Sequence, residues 1–200
     1  MTRGRSEPPG ARDRVLRAAL RAAAESAPGP VRVADIAARA GMSAGHVMYY
    51  FQRRDRILAE TLLYAEAELT ATRDRLVAGA GATPTVLRGL VRLYLPSSGS
   101  DPRWRLWAQT LASPPDDAET LAALAEVVDS WQQAFATVIR RGHAENSLHC
   151  EDADQEAYRS CRLMDGYALE VMLGVRGRTR AWAVRSVMAA LEHTLAMPPS

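Results

Sequence analysis

One short stretch of the chain gathers side chains that can bind phosphates and the edges of nucleic-acid bases. Ser43 and Tyr49 offer hydroxyl groups, His46 offers an imidazole, and Arg54 offers a guanidinium. Hydroxyl and guanidinium groups hydrogen-bond to phosphate oxygens, and an imidazole can donate or accept at a base. Gly45 has no side chain and would let its helix approach the bases closely. This stretch predicts recognition of a nucleic acid.

Two short helices must present these side chains. Apolar residues recur with the spacing of one helix face, at Val33, Ile36, Ala37 and Ala40. Gly41 can adopt the left-handed conformation that ends a helix, and Ser43 can cap the next helix. Two short helices joined by a Gly-containing turn are typical of a helix-turn-helix, whose second helix enters a DNA major groove.

The second helix of the pair has an inward and an outward face. Val47, Tyr50 and Phe51 form the inward face and are predicted to pack in the core. The outward face consists of Ala44, Gly45, His46 and Tyr49. Arg32 lies just before the first helix and is a further candidate for a phosphate contact. The alternative is a solvated basic face with a chance spacing.

The segment from Val33 to Leu58 resembles the DNA-binding end of tetracycline-repressor (TetR) family regulators. The resemblance rests on AxxAGxS, GHVMYYF and RRDRIL, and most specifically on Tyr49, Tyr50, Phe51, Arg54 and Asp55. It implies that Tyr49 contacts DNA phosphate. Met48 followed by Tyr49 is nearer the choline-responsive, BetI-like branch of the family. The later segments WRLWAQTLASP and LMDGYALEVMLG also resemble that branch.

The charge is unevenly divided between the two parts of the chain. Residues 1–56 contain 11 Arg against 5 acidic residues, a net charge of +6, and the remainder carries −4. A positive excess on the helix-turn-helix segment is expected of a protein that neutralises phosphates. We therefore predict a DNA-binding domain at 1–56, with residues 1–10 as a flexible arm that carries Arg3 and Arg5. Residues 57–200 would form a ligand-sensing and dimerisation domain.

Helical patterns continue through the rest of the chain. A long helix from Asp55 to about Ala78 is predicted to connect the two domains, with Ile57, Tyr64 and Glu68 near its inner face. Gly and Pro clusters separate further helices, and no alternating strand pattern occurs. The predicted fold is all-α, with about nine helices. No apolar run approaches the roughly 20 residues of a membrane span, and the N-terminus lacks the apolar centre of a signal peptide, so we expect a cytoplasmic protein.

Aromatic side chains in the second half predict a small-molecule site. Trp104, Trp107 and Trp131 can hold a cation by cation–π attraction, and Asp165 can supply a countercharge. Met164 lies beside Asp165 and completes the predicted site. The alternative is that the tryptophans only pack in the core. The resemblance to the BetI-like branch favours a quaternary ammonium ligand.

Apolar stripes on the last two helices predict a homodimer interface. Their residues step by three and four, and the stripes look too extensive for one protomer. The predicted interface residues are Ala157, Cys161, Ala168, Val184, Val187, Met188, Leu191 and Leu195. The same stripes could instead be ordinary core. The resemblance favours the dimer, because TetR-family proteins associate through their final helices.

The sequence gives little support to an enzyme. His143, His149 and Cys150 lie in one segment, but no second cluster completes a four-ligand metal set. Neither a phosphate-binding glycine loop nor a nucleophile motif is present. No cofactor is predicted. We therefore predict a homodimeric repressor that a small molecule releases from a palindromic operator, with a DNA-binding dimer that senses no ligand as the alternative, and a helical enzyme or scaffold as a more distant one.

Overall fold

The computed structural model describes residues 10–25 and 29–197, which form nine α-helices and no β-strand. The helices are α1 (Ala11–Glu25), α2 (Val33–Ala40), α3 (Ala44–Phe51), α4 (Arg54–Ala78), α5 (Thr83–Tyr94), α6 (Pro102–Ala112), α7 (Ala118–Ala144), α8 (Ala153–Leu173) and α9 (Arg180–Thr194). The all-α prediction is confirmed. The predicted arm with Arg3 and Arg5 lies outside the described residues. None of the described helices is both long enough and apolar enough to span a bilayer.

The turn between α2 and α3 follows from two residues. Gly41 ends α2 with φ +66°, a left-handed conformation that strains most L-residues. Ser43 caps α3, and its Oγ accepts a hydrogen bond from the backbone N–H of His46 at 3.1 Å. The predicted helix end and N-cap are therefore confirmed, and they fix the angle at which α3 leaves α2.

The N-terminal helices are held by a core that reaches beyond them. Val15, Ile36 and Phe51 are fully buried against Leu62 of α4 and against residues of α6 and α7. Leu106 and Leu124 are the contributions of those two helices. Helices α2 and α3 together bury too little surface to stand alone, so α1, α4 and α6 hold them in place. The division of the chain after residue 56 stays a prediction.

A second core fills the C-terminal half. It is formed mainly by α5, α7, α8 and α9, and its fully buried side chains include Leu87, Leu90, Phe135, Val138, Met164, Val187 and Leu195. Helix α4 contacts α5 and α7 as well as α1 and α6, so one continuous rod runs alongside both cores. This arrangement places α6 between the N-terminal helices and the C-terminal bundle.

The structure corrects the predicted dimer residues. The eight apolar residues assigned to an interface all lie in the core of a single protomer, with 0–8% exposure: Ala157, Cys161, Ala168, Val184, Val187, Met188, Leu191 and Leu195. A side chain already covered by its own chain has no surface left for a partner. Other helices of the same protomer cover both stripes: α7 packs against α8, and α5, which is distant in the sequence, packs against α9.

Candidate nucleic-acid interface and effector cavity

Helix α3 presents an open polar face. Ser43, Ala44, Gly45, His46 and Tyr49 are all exposed, and Tyr49 is 79% exposed. Val47 and Phe51 anchor the opposite face, where both are fully buried. The face of α3 that was predicted to point outward is therefore exposed, and it is accessible to a binding partner.

Aromatic packing supports the two most prominent side chains of this face. The ring of Tyr50 is half-buried and lies 5.3 Å from the His46 ring and 5.6 Å from the Tyr49 ring, centroid to centroid. The Tyr49 and Tyr50 rings meet edge to face, which is a favourable aromatic geometry. Tyr50 therefore contributes to the core and also supports the exposed side chains.

Two of the predicted phosphate ligands have different environments. Arg32 is exposed, as expected of a residue before α2. Arg54 is half-buried, and its Nε donates to the carbonyl oxygen of Val31 at 2.9 Å. Its Nη2 donates to Oε1 of Gln109, also at 2.9 Å. This geometry does not support the phosphate role of Arg54, because its guanidinium links α4 to α6 and to the segment before α2.

A cavity of about 290 Å³ lies between α4, α5, α6, α7 and α8. Its lining includes Trp104, Trp107, Trp131 and Asp165, so the structure brings together four of the five predicted ligand residues. Met164 is the exception and is fully buried in the C-terminal core. One residue along an α-helix corresponds to a turn of about 100°, which points Met164 away from the cavity that Asp165 lines.

Glu66 of α4 organises the tryptophans of this cavity. Its carboxylate is 5% exposed and accepts hydrogen bonds from Nε1 of Trp107 at 2.9 Å and Nε1 of Trp131 at 3.0 Å. Arg103 donates to the same carboxylate at 3.1 Å and neutralises its charge. The third indole, that of Trp104, donates from Nε1 to the carbonyl oxygen of Tyr94 at 3.0 Å.

These hydrogen bonds decide which chemistry the indole rings offer. All three indole N–H groups have protein acceptors, so a ligand would meet the ring surfaces. Arg73 and Arg103 already lie over the Trp131 and Trp104 rings, 5.2 and 5.4 Å from the ring centroids, which shows that these rings accept cations. An indole ring is the best π-surface for a cation among the aromatic side chains. Tyr94 packs edge-on against Trp131 and Trp104, with centroid distances of 5.1 and 5.9 Å. The cavity is therefore built from rings held in place before any ligand binds.

Asp165 supplies negative charge at the edge of the cavity. It accepts a hydrogen bond from the Tyr94 hydroxyl at 2.6 Å and lies 3.4 Å from the Arg162 guanidinium. Burial raises the pKa of Tyr94, and the adjacent Asp165 charge raises it further, so the phenol stays protonated and donates. The Asp165 and Arg162 side chains are 38% and 42% exposed, so their ion pair is weak.

The histidine and cysteine cluster considered as a metal site has an ordinary structural explanation. Nδ1 of His143 accepts a hydrogen bond from the backbone N–H of Cys150 at 3.3 Å, and the His143 and His149 rings are 5.6 Å apart. Within the residues that the structure describes, no group of three or more His, Cys, Asp or Glu side chains could hold a metal ion.

Sequence reasoning missed Glu66, Arg103, Tyr94 and Gln109. A signal for Glu66 existed, because it lies four and eight residues after Leu62 and Leu58 and so shares their buried face. The predicted position of Glu68 on the inner face of this helix is wrong, because Glu68 is exposed.

Two family models match the chain in agreement with this architecture. Residues 15–61 match the model for bacterial regulatory proteins of the tetR family, and residues 84–196 match the model for the C-terminal part of BetI-type transcriptional repressors. The chain belongs to the TetR family of transcriptional regulators. Its C-terminal half is of the BetI type.

Solved structures with the same fold include regulators from several organisms. A protein from Saccharomonospora viridis, crystallised in complex with choline, is 27% identical, has a TM-score of 0.80, and matches over 92% of this chain and 97% of its own. A transcriptional regulator from Rhodococcus sp. Rha1 is 19% identical, with a TM-score of 0.74 over 95% of this chain and 100% of its own. A TetR transcription regulator from Haloarcula marismortui is 17% identical, with a TM-score of 0.71 over 94% and 97%. No curated protein sequence matches the chain.

Proposed function

We propose that this chain is a homodimeric repressor that binds a palindromic operator through α3 and releases it when a quaternary ammonium compound enters the aromatic cavity. The proposal rests on one observation. The chain has both an exposed α3 face and a separate aromatic cavity, and helix α6 contacts the cavity as well as the segment that leads into α2. No enzyme activity is proposed, because the family models and the similar structures describe regulators.

The exposed face of α3 is suited to a DNA major groove. His46 and Tyr49 are exposed side chains that can meet base edges and phosphates, and Gly45 leaves room for close approach. Ser43 and Arg32 flank this face, where a phosphate backbone would pass. The net charge of +6 on residues 1–56 favours the same partner. Two copies related by a twofold axis would read half-sites about 34–36 Å apart.

The surface that we propose for the dimer lies on the outer side of α8 and α9. Leu163 and Leu173 of α8 are 37% and 76% exposed. Gly166 lies between them, and no atom of its own chain lies within 4 Å of where a Cβ would be. A glycine in the middle of a helix costs about 1 kcal/mol relative to alanine. A closely crossing partner helix would account for it, together with the exposed Ala181 and Ala189 of α9.

The cavity is suited to a quaternary ammonium cation. Three tryptophans line it, and Asp165 can exchange its weak, half-exposed pairing with Arg162 for a bound cation. The choline bound to the Saccharomonospora viridis protein supports this ligand class. A ligand that binds only one geometry of α6 would shift the chain toward that geometry.

Operator binding is tested with DNA from the region upstream of the chain's own gene. In fluorescence anisotropy, Tyr49→Ala should weaken binding about tenfold and leave the melting temperature unchanged, because the side chain is 79% exposed. Tyr49→Phe separates the hydroxyl from the ring. Unchanged affinity in Tyr49→Ala would rule out the assignment of that residue, and affinity that is insensitive to salt would rule out phosphate recognition.

Sensing is tested by titrating choline or betaine into the protein while tryptophan fluorescence and thermal stability are followed. We expect a fluorescence change, a higher melting temperature and weaker operator binding. A chain that binds the operator but responds to neither compound at millimolar concentration would instead be a DNA-binding dimer without this sensing function.

A further inference from the structure

A second cavity, of about 350 Å³, lies beside the aromatic cavity. It is bounded by the end of α6, the first turns of α7 and the segment between them. Trp107, Leu111 and Val128 line both cavities and form their common wall. A molecule seated in the aromatic cavity would therefore need to pass only this wall to reach the second one.

The chemistry of the second cavity differs from that of the first. Its remaining lining residues are Thr110, Pro114, Pro115, Leu121, Leu124 and Ala125, and none of the residues that line it carries a formal charge. Such a surface offers nothing to an ammonium group. It favours the alkyl part of a ligand, because burial of each methylene removes apolar surface from water.

One polar atom beside this apolar cavity has no hydrogen-bond partner. Thr110 is 3% exposed, and its Oγ1 is buried without a hydrogen bond to any described residue. The usual helical solution for a buried threonine is seen at Thr61, whose hydroxyl donates to the carbonyl oxygen of Ile57 at 2.6 Å. An unpaired buried hydroxyl is uncommon in native proteins and calls for an explanation. Rotation about the Thr110 Cα–Cβ bond would bring the hydroxyl into the cavity, where an acceptor oxygen on a ligand would supply the missing partner.

The wall between the cavities includes a side chain that can move. Leu111 is 75% exposed although it lies on a helix between two cavities. Few contacts hold such a side chain in one rotamer, so it can change rotamer without leaving a void in the core. Its movement would join the aromatic cavity to the apolar one.

We propose that the effector is an amphiphilic cation: a quaternary ammonium head in the aromatic cavity, an acceptor oxygen at Thr110, and an alkyl chain of several carbons in the second cavity. A choline ester of a short fatty acid has these three parts in this order. The inference rests on the proposed function, because it takes the ammonium group to occupy the aromatic cavity.

The test compares three cations by isothermal titration calorimetry on the full chain. Choline has the quaternary ammonium head alone. Hexanoylcholine has the head, an ester and an alkyl chain, and hexyltrimethylammonium has the head and an alkyl chain without the ester. Hexanoylcholine should bind at least about tenfold more tightly than choline, since each buried methylene can add up to roughly fourfold. Hexyltrimethylammonium should fall between them.

Two variants test where the alkyl chain and the ester oxygen of the ligand bind. Ala125 is exposed and lines only the second of the two cavities, so Ala125→Trp fills that cavity without disturbing the core. It should reduce the affinity for hexanoylcholine to that for choline and leave choline binding unchanged. Thr110→Val keeps the shape and removes the hydroxyl. It should weaken hexanoylcholine binding about three- to tenfold and leave hexyltrimethylammonium unaffected.

The outcomes separate this inference from the proposed function. Choline binding with no gain for hexanoylcholine, or a gain that Ala125→Trp leaves intact, overturns the second cavity as a ligand site while the proposed sensing function stands. Equal losses for hexanoylcholine and hexyltrimethylammonium in Thr110→Val overturn the hydrogen bond. Failure of all three cations to bind overturns the proposed function and this inference with it.

Discussion

The side-chain oxygen of Gln109 accepts a hydrogen bond from the guanidinium of Arg54 over 2.9 Å. The same oxygen accepts one from the backbone N–H of Val31 at 2.9 Å, and Arg54 donates in turn to the carbonyl oxygen of Val31. Gln109 lies on α6, two residues after Trp107, which lines the aromatic cavity. One helix therefore contacts the cavity and holds the segment that enters the helix-turn-helix.

Replacing Gln109 by Met should weaken communication between the two proposed sites. Methionine keeps the length of the side chain but cannot replace the acceptor, so Arg54 and the Val31 N–H lose a partner. We expect choline binding to change little and the choline-induced loss of operator affinity to shrink toward none. The native coupling would be of the usual size, about 1–3 kcal/mol. Fluorescence anisotropy with and without choline measures it.

The matched control is Gln133→Met, at an exposed position of α7. It makes the same chemical change away from the Arg54 contact and should leave the coupling intact. If Gln109→Met responds to choline as strongly as the control does, α6 transmits its movement by another contact.

Glu66→Gln should destabilise the protein strongly. The carboxylate accepts from three donors, whereas a carboxamide would turn an N–H₂ group toward at least one of them and leave Arg103 without a counter-charge. Breaking a buried ion pair on one side costs about 3–5 kcal/mol. Urea unfolding measures this loss. The control Asp154→Asn breaks an exposed ion pair with Arg140 and should cost less than about 1 kcal/mol. Equal losses would mean that Glu66 does not organise the cavity.

Leu163→Arg should convert the dimer to monomers if the outer side of α8 is the interface. The side chain is 37% exposed in one protomer, so the change leaves the core of that protomer intact. Burying two unpaired charges against their symmetry mates would strongly oppose association. Sedimentation velocity measures the oligomeric state. Leu121→Arg, at an exposed position of α7, is the control and should remain dimeric. A dimer that survives Leu163→Arg would move the interface elsewhere.

The two cysteines should differ in reactivity toward iodoacetamide at pH 8. Cys161 is fully buried, and burial raises the pKa of its thiol from 9.0 to about 12. Cys150 is only half-buried and should be alkylated first, as mass spectrometry of timed samples would show. In denaturant both should react at similar rates. Equal rates in the folded protein would contradict the burial of Cys161.

The raised pKa of Cys161 also has a consequence for stability. The unfolded chain releases this proton more readily than the folded chain, so the stabilisation is complete below about pH 9 and is lost progressively as the pH rises toward 12. Tyr94 acts in the same direction, because burial raises its pKa too. Melting temperatures recorded from pH 8 to pH 11 should therefore fall.

The sequence by itself determined the local features. The turn at Gly41, the cap at Ser43 and the exposed side of α3 follow from neighbours within a few residues, whose spacing and backbone preferences are visible in the chain. The tryptophans of the cavity could be named as well, because bulky aromatic residues between charged ones are conspicuous. Their hydrogen-bond partner Glu66 could not be paired with them, since it lies 41 residues before Trp107 and 65 before Trp131.

Tertiary structure alone decided which apolar faces were already covered and which polar groups found partners. Val187 and Met188 repeat with a spacing that suits an interface or a core equally well, and only the packing of α5 against α9 shows that the protomer buries them itself. The guanidinium of Arg54 could bind a phosphate or Gln109, and only the tertiary structure shows that it binds Gln109. Helix periodicity shows which residues share a face of a helix. It does not show what packs against that face, because the packing partner can be distant in the sequence.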